Sequence, residues 1–223
     1  MKYVPSSGWE EGITALSERL STELTAGKRV LWLVSGGSNI AATVKVMSGV
    51  PEELTSSLTV MPNDERYGEP GHPDSNWQQL LDAGFQAKQA KTLPVLKAGM
   101  DFEATARAFE ATARQAFAGN DVIISQLGMG PDGHVSGILP ASPAAGETEA
   151  WVTAYEQPPL KRITLTFPAL REATAIYLFA FGADKRPALE ILQNKAVPLA
   201  DQPAQILKEI REAYVYSDQL EAA

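Results

Sequence analysis

The chain has 223 residues, 44% of them hydrophobic and 21% charged, the balance of a folded globular protein rather than a disordered or fibrous one. A net charge of −8 argues against broad nucleic-acid binding, which needs a basic stripe, and the absence of cysteine excludes disulfides, thiolate metal sites and cysteine nucleophiles. The longest apolar run, Ala175 to Phe181, falls far short of the roughly 20 residues of a membrane span, and Met1 to Pro5 lacks the apolar block of a secretory signal, so the expectation is a cytoplasmic protein with no membrane partner.

Trp9, Ile13, Leu16, Leu20 and Leu24 recur at helical spacing, and Ser7 with Glu10 offers a capping box at the start of that helix. Val30 to Val34 is a continuous apolar run that ends in Ser35-Gly36-Gly37-Ser38 and passes into a helix through Val44 and Met47. The cycle repeats with a strand at Leu58 to Met61, a long polar segment from Asn63 to Asn76, and a helix including Trp77 to Leu81. A third strand is expected near Leu93 to Leu96, followed by a helix carrying Phe102, Ala106, Phe109, Ala113 and Phe117, and a fourth strand at Asp121 to Ser125. Solid apolar strands alternating with amphipathic helices indicate a parallel sheet covered on both faces.

After Pro140 two strands, Trp151 to Tyr155 and Arg162 to Phe167, follow each other without room for a crossover helix, which implies a smaller mixed or antiparallel portion of sheet. Alternation resumes with a strand at Ile176 to Phe181, a helix from Asp184 to Gln193, a helix at Ile206 to Ile210 and a last strand at Tyr214 to Tyr216. No linker or fixed-period repeat divides the chain. The expected architecture is a single α/β domain over residues 1–223, mostly parallel sheet with helices on both faces.

Polar and glycine-rich segments cluster at the strand ends, where open α/β sheets collect ligands. Gly36, Gly37 and Ser38 place bare amides at a helix N-terminus suited to a phosphate, although many α/β proteins make such a turn for purely structural reasons. Asn63-Asp64-Glu65-Arg66-Tyr67 brings two carboxylates and a guanidinium to the rim, a set equally compatible with a solvated loop. Leu127-Gly128-Met129-Gly130-Pro131-Asp132-Gly133-His134 is the most informative stretch, because a shaped loop after a buried strand presents one of only two histidines in the chain. Lys185, behind Gly182-Ala183-Asp184, can add charge near a helix N-terminus, and Arg162 is a further candidate cation.

Taken in order, Ser35-Gly36-Gly37-Ser38, Asp64-Glu65-Arg66, His72-Pro73-Asp74-Ser75-Asn76, Gly128 to His134, Arg162-Ile163-Thr164-Leu165-Thr166 and Lys185 after Gly182 resemble the family that holds 6-phosphogluconolactonases and glucosamine-6-phosphate isomerases/deaminases. The isomerase/deaminase branch typically carries Asp-Glu-Tyr in place of Asp64-Glu65-Arg66. It also carries a catalytic glutamate where this chain has Leu139, which cannot move protons. Arg66 and Ser75-Asn76-Trp77 are similar to the lactonase branch. Two stretches depart from its pattern: Asn39-Ile40 stands where Thr-Pro is usual, and Val135-Ser136-Gly137 where Thr-Ala-Ser is common.

The resemblance implies hydrolysis of a phosphorylated sugar lactone, with a small-molecule sugar phosphate as partner and no cofactor or metal. It implies His134 as general base, with Asp64 orienting either His134 or a substrate hydroxyl. Gly36, Gly37, Ser38, Arg66, Asn76, Arg162 and Lys185 are the implied substrate and phosphate contacts, and the loop of Gly130, Asp132 and Gly133 the implied source of oxyanion donors. Two rivals are an amino-sugar-phosphate isomerase/deaminase and a non-catalytic sugar-phosphate sensor. Oligomeric state is not encoded in these features.

Overall fold

A computed structural model describes residues 1–221. In chain order the elements are β1 (Lys2–Pro5), α1 (Glu10–Thr25), β2 (Val30–Val34), α2 (Ile40–Gly49), β3 (Leu58–Pro62), β4 (Asp64–Arg66), α3 (Asn76–Asp82), β5 (Lys91–Thr92), α4 (Phe102–Gly119) and β6 (Val122–Gly128). They continue with β7 (Val152–Gln157), β8 (Leu160–Leu165), the short α5 (Phe167–Leu170), β9 (Ala175–Phe179), α6 (Arg186–Asn194) and β10 (Glu212–Ser217).

Seven strands form a parallel sheet in the order β1-β10-β9-β6-β2-β3-β5, and β4-β8-β7 form a separate antiparallel sheet. The mostly parallel α/β architecture with a smaller antiparallel part is therefore as the sequence implies. From β2 the chain first builds outward through β3 and β5, then returns to place β6 on the other side of β2. This reversal opens a crevice above the carboxyl ends of β2 and β6.

The solid apolar run of β2 reflects burial on both faces. Val30, Trp32 and Val34 pack with Leu16, Leu20, Val46 and Met47 of α1 and α2, whereas Leu31 and Leu33 pack with Phe109, Ala113 and Phe117 of α4 and with Ile163 and Leu165 of β8. A third cluster joins Leu127 of β6 and Leu178 of β9 to Leu189 and Leu192 of α6. Truncating a fully buried leucine such as Leu16 or Leu33 to alanine costs about 2–5 kcal/mol by the combined loss of contacts and opening of a cavity. The α4 stripe is capped by Asp101, whose carboxylate accepts from the Ala104 amide at 2.7 Å.

Several local expectations are corrected. The Ser7–Glu10 capping box does not form: Trp9 is the N-cap of α1 and makes no side-chain cap, and Ser6 Oγ instead donates to Glu11 at 2.9 Å. The strand expected at Leu93 to Leu96 is the two-residue β5, extended only by the Leu93 amide bonding Val60 O at 2.9 Å. Phe167 begins α5 rather than ending β8, and Ile206 to Ile210 lies mostly within a 3₁₀ segment, Pro203–Glu209, rather than an α-helix. The segment from Asn63 to Asn76 holds β4, a strand the apolar pattern does not reveal. Among the described residues no helix is long and apolar enough to cross a membrane.

Candidate active site

One cleft of about 260 Å³ opens at the β2/β6 crevice. Its wall includes Gly36, Gly37 and Ser38 after β2, Asp64 and Arg66 of β4, Asn76 of α3, Gly130 and His134 after β6, Arg162 of β8, and Lys185 after β9. The chain reaches it from the parallel sheet through Asn63, whose amide donates to Val34 O at 2.8 Å and whose carbonyl accepts from Leu165 N at 2.9 Å. Asn63 Nδ2 also donates to Gln126 O at 2.9 Å, and Asn63 Oδ1 accepts from Ser125 Oγ at 2.9 Å. This fully buried residue thus ties β2, β6 and β8 together where the chain passes from one sheet to the other.

Glu65, unassigned by the sequence, organises the next wall. Its buried carboxylate accepts from the amides of Arg66, Asn76 and Trp77 and from Ser75 Oγ, clamping β4 to the N-terminus of α3. Burial pushes its pKa up while these donors pull against it. The clamp sets Asn76 beside Asp64: Asn76 Nδ2 donates to Asp64 O at 3.0 Å and to Asp64 Oδ2 at 3.2 Å. Gly36 passes so close that a Cβ there would fall 1.8 Å from Asn76 Oδ1.

Arg66 and Arg162 are direct cross-strand partners in the β4–β8 pair, and the Nε of each is buried without a partner among the described residues. Arg66 Nη1 is tethered to Asp74 O at 3.1 Å. Like charges in such register repel unless an anion lies between them. Asp64 provides one carboxylate nearby; its burial raises its pKa, against the opposing pull of Arg66, Arg162 and His134. Lys185, 15% exposed, pairs with Asp184 at 2.9 Å and comes to the cleft from the turn after β9. The wall therefore carries three cationic side chains against one carboxylate, Asp64.

His134 Nδ1 lies 2.6 Å from Asp132 Oδ1, the same oxygen that accepts the His134 amide at 3.1 Å. Although burial raises the Asp132 pKa, the hydrogen bonds and charge of His134 outweigh it and hold the carboxyl below its ordinary value. Ionised, Asp132 can only accept, so Nδ1 carries the proton and a neutral imidazole keeps its Nε2 lone pair free. Gly130 is required beneath the ring, since a Cβ would stand 2.1 Å from Nδ1.

The structure brings His134, Asp64, Gly36, Gly37, Ser38, Arg66, Asn76, Arg162, Lys185 and Gly130 to one cleft, while Asp132 and Gly133 do not line it. Two expectations change. Asp132, rather than Asp64, contacts the imidazole. The Gly130 and Gly133 amides are spent inside the loop, on His134 O at 2.9 Å and Gly130 O at 3.0 Å, so neither is available to an oxyanion. The amides of Gly36, Gly37 and Ser38, by contrast, donate to no acceptor among the described residues.

Asn39 and Ser136 also line the cleft without having been singled out by their chemistry in the sequence. Ser136 takes a positive φ of 54° and shares a 3.0 Å hydrogen bond with Thr164 Oγ1, strain of the kind that collects at binding sites. The signal for both was their departure from the family pattern. Among the described residues no group of three or more His, Asp and Glu side chains is arranged to hold a metal ion.

A carboxylate-paired imidazole in a cleft with three cationic side chains, at the switch point of an α/β sheet, is the arrangement of a site suited to a small anionic ligand. The match of residues 9–216 to the glucosamine-6-phosphate isomerases/6-phosphogluconolactonase family is more specific, and the chain belongs to that family. It is 33% identical over 185 residues to a 6-phosphogluconolactonase of Streptomyces coelicolor, covering 74% of this chain and 70% of the relative. It is 27% identical over 196 residues to one of Mycobacterium tuberculosis, covering 81% and 79%. A probable chloroplastic 6-phosphogluconolactonase of Oryza sativa is 28% identical over 191 residues, which cover 77% of this chain but only 59% of the rice protein.

The fold is similar to that of a 6-phosphogluconolactonase from Thermotoga maritima, with a TM-score of 0.79, 21% identity and 96% of each chain covered. It is equally similar to a monomeric glucosamine-6-phosphate deaminase, with a TM-score of 0.78, 20% identity and 97% of each chain covered. Backbone similarity therefore does not choose between the two chemistries, and the side chains must.

Proposed function

We propose that this protein is an enzyme that hydrolyses 6-phospho-D-glucono-1,5-lactone to 6-phosphogluconate, the lactone-opening step of the oxidative branch of the pentose phosphate pathway. The observation that carries this reading is the Asp132–His134 pair, with the imidazole sharing one cleft with Arg66, Arg162 and Lys185. His134 Nε2 takes a proton from water as the water oxygen attacks C1, and an oxyanion forms on the former carbonyl. When the intermediate collapses, the bond from C1 to the ring oxygen breaks and the imidazolium returns its proton to that oxygen, leaving the open acid.

The loop amides being spent, positive charge for the oxyanion comes from Arg66 and Arg162. Both stand on the β4–β8 wall that also carries Asp64, in the same cleft as His134, and this supports assigning them to the reacting end. The phosphate then belongs at the free amides of Gly36, Gly37 and Ser38 with Lys185. Asp64, held by Asn76, is placed for a substrate hydroxyl. The reading treats residues 1–223 as one domain, since the two sheets share the core of Leu31, Leu33 and Ile163. It places the reaction in the cytoplasm, with which a chain free of cysteine is consistent.

Leu139 favours hydrolysis over isomerisation and deamination. It packs against the Leu127–Leu178 core, so the position supplies no acid to a ring-opening step. The test is proton release in a pH-stat on freshly generated 6-phosphogluconolactone, corrected for spontaneous hydrolysis. Turnover that disappears in His134→Ala supports the reading. Ammonia release from glucosamine 6-phosphate, or sugar-phosphate binding with no turnover, overturns it.

A further inference from the structure

The proposed chemistry leaves one buried donor in the cleft unused. Asn39 ends the 3₁₀ turn Gly37–Asn39, is only 1% exposed and lines the cleft, yet its Nδ2 has no hydrogen-bond partner among the described residues. Its neighbours fix it. Oδ1 accepts from Gln126 Nε2 at 3.4 Å, its carbonyl accepts from Thr43 Oγ1 at 3.1 Å, and its amide donates to Gly36 O at 3.4 Å.

With Oδ1 turned to Gln126, Nδ2 is directed over Gly128, where a Cβ would sit 2.5 Å away. Glycine at that strand end keeps the space beside the donor open. A buried N–H without an acceptor is costly, and a rigidly held one in a ligand cleft is satisfied when the ligand supplies the oxygen. Asn39 reaches from the end of β2 toward the end of β6, and Lys185, which lines the same cleft, follows β9, the next strand beyond β6. Its immediate neighbours are the free amides of Gly36, Gly37 and Ser38.

We propose that Asn39 is a substrate-binding residue whose Nδ2 donates to a phosphate oxygen of the ligand, so that it selects phosphorylated sugar lactones over unphosphorylated ones. A carboxamide reaches further than a hydroxyl and cannot ionise, and so holds an anion without the pH dependence of a charged group. This inference rests on the sugar-phosphate reading of the cleft.

Two measurements test it: the affinity for inorganic phosphate by calorimetry, which needs no turnover, and kcat and KM on 6-phosphogluconolactone. Asn39→Ala raises both the phosphate Kd and KM by about 10- to 100-fold, with kcat preserved, the range expected for losing a hydrogen bond to a charged group. Asn39→Asp keeps the shape, removes the donor and adds a repelling charge, and weakens phosphate further. Gly128→Ala crowds Nδ2 while retaining the carboxamide and gives the same direction of change, which keeps the inference testable if an Asn39 variant fails to fold by circular dichroism.

An unchanged phosphate Kd in folded Asn39→Ala or Asn39→Asp overturns the proposal, as does a rise in KM alone, which would put Asn39 on the sugar instead. If the wild type turns over no lactone but its phosphate affinity still depends on Asn39, the lactonase reading falls and this inference stands.

Discussion

Asp132→Asn and Asp132→Ala should differ sharply from each other, and the reason lies in one oxygen atom. Asp132 Oδ1 accepts both the His134 amide at 3.1 Å and the imidazole Nδ1 at 2.6 Å. An asparagine is drawn to present its own Oδ1 to the same two donors, so Asp132→Asn preserves the tautomer and loses only the charge. A hydrogen bond to a charged group is worth about 1 kcal/mol more than a neutral one, and with Asp132 nearly half exposed solvent screening keeps the difference at that level, about a fivefold to tenfold fall in kcat.

Asp132→Ala leaves Nδ1 without an acceptor, and the imidazole is free to turn or to carry its proton on Nε2. That variant should approach the loss of the base itself, about 10²–10⁴-fold in kcat, and match His134→Ala. KM should stay near wild type in all three, because neither side chain holds the ligand's charge. Initial rates of lactone hydrolysis, corrected for the spontaneous reaction, measure the series. Wild-type kcat in Asp132→Ala, or equal losses in Asn and Ala, would refute the argument that this carboxylate fixes the base.

Gly36→Ala should destabilise the fold by about 1–3 kcal/mol in urea titrations and depress activity with it. Its Cβ would fall 1.8 Å from Asn76 Oδ1 and push away the side chain that holds Asp64, and wild-type stability would contradict that close approach. Asp64→Asn should raise the melting temperature at neutral pH while reducing activity. Burial raises the Asp64 pKa above its ordinary 3.8, so the native state keeps the proton to higher pH than the unfolded chain and stability falls as pH rises between the two values. The advantage of the variant should vanish below pH 3.8, and a melting temperature that stays higher by the same amount at all pH would show another cause. Inorganic phosphate should raise the wild-type melting temperature, by an amount equivalent to about 2.7 kcal/mol at a hundred times its Kd. Lys185→Ala should lose most of that rise, and an undiminished response would move the phosphate to the arginine wall.

The sequence makes the parallel sheet legible because β2 and β9 are buried along their whole length and read as unbroken apolar runs, and β6 opens with Val122, Ile123 and Ile124 before Ser125 and Gln126 turn polar toward the site. It hides β4 for the opposite reason. Asp64-Glu65-Arg66 has no apolar period, and it is a strand only because Glu65 clamps it to α3 and β8 pairs with it in space. The edge strand β1, four residues with two of them exposed, gives too weak a pattern against the polar residues that follow. Site residues are legible where the glycine turns and polar clusters follow strand ends, as with Gly36 and His134. The contact of Asp132 with His134 is not, because residues two apart meet only through the shape of the loop, here with a Gly133 φ of 81°.

A chain with a net charge of −8 can hold an anion only by local arrangement, and the hydrogen bonds show where that arrangement is made. Among the described residues seven buried side-chain atoms lack a partner, and four of them belong to cleft residues: Asn39 Nδ2, Arg66 Nε, Arg162 Nε and Asn76 Oδ1. Folded proteins leave few such atoms, so their gathering in one place reflects a site built for something other than the fold's own stability. Three of the four are donors, and the two arginines stand opposite each other in strand register, where their charges repel. The local cost is lowest when a ligand rich in acceptor oxygens and negative charge fills the space. The same unmet bonds that weaken the empty cleft therefore set its preference, and they favour an oxyanion or a phosphate over any neutral sugar.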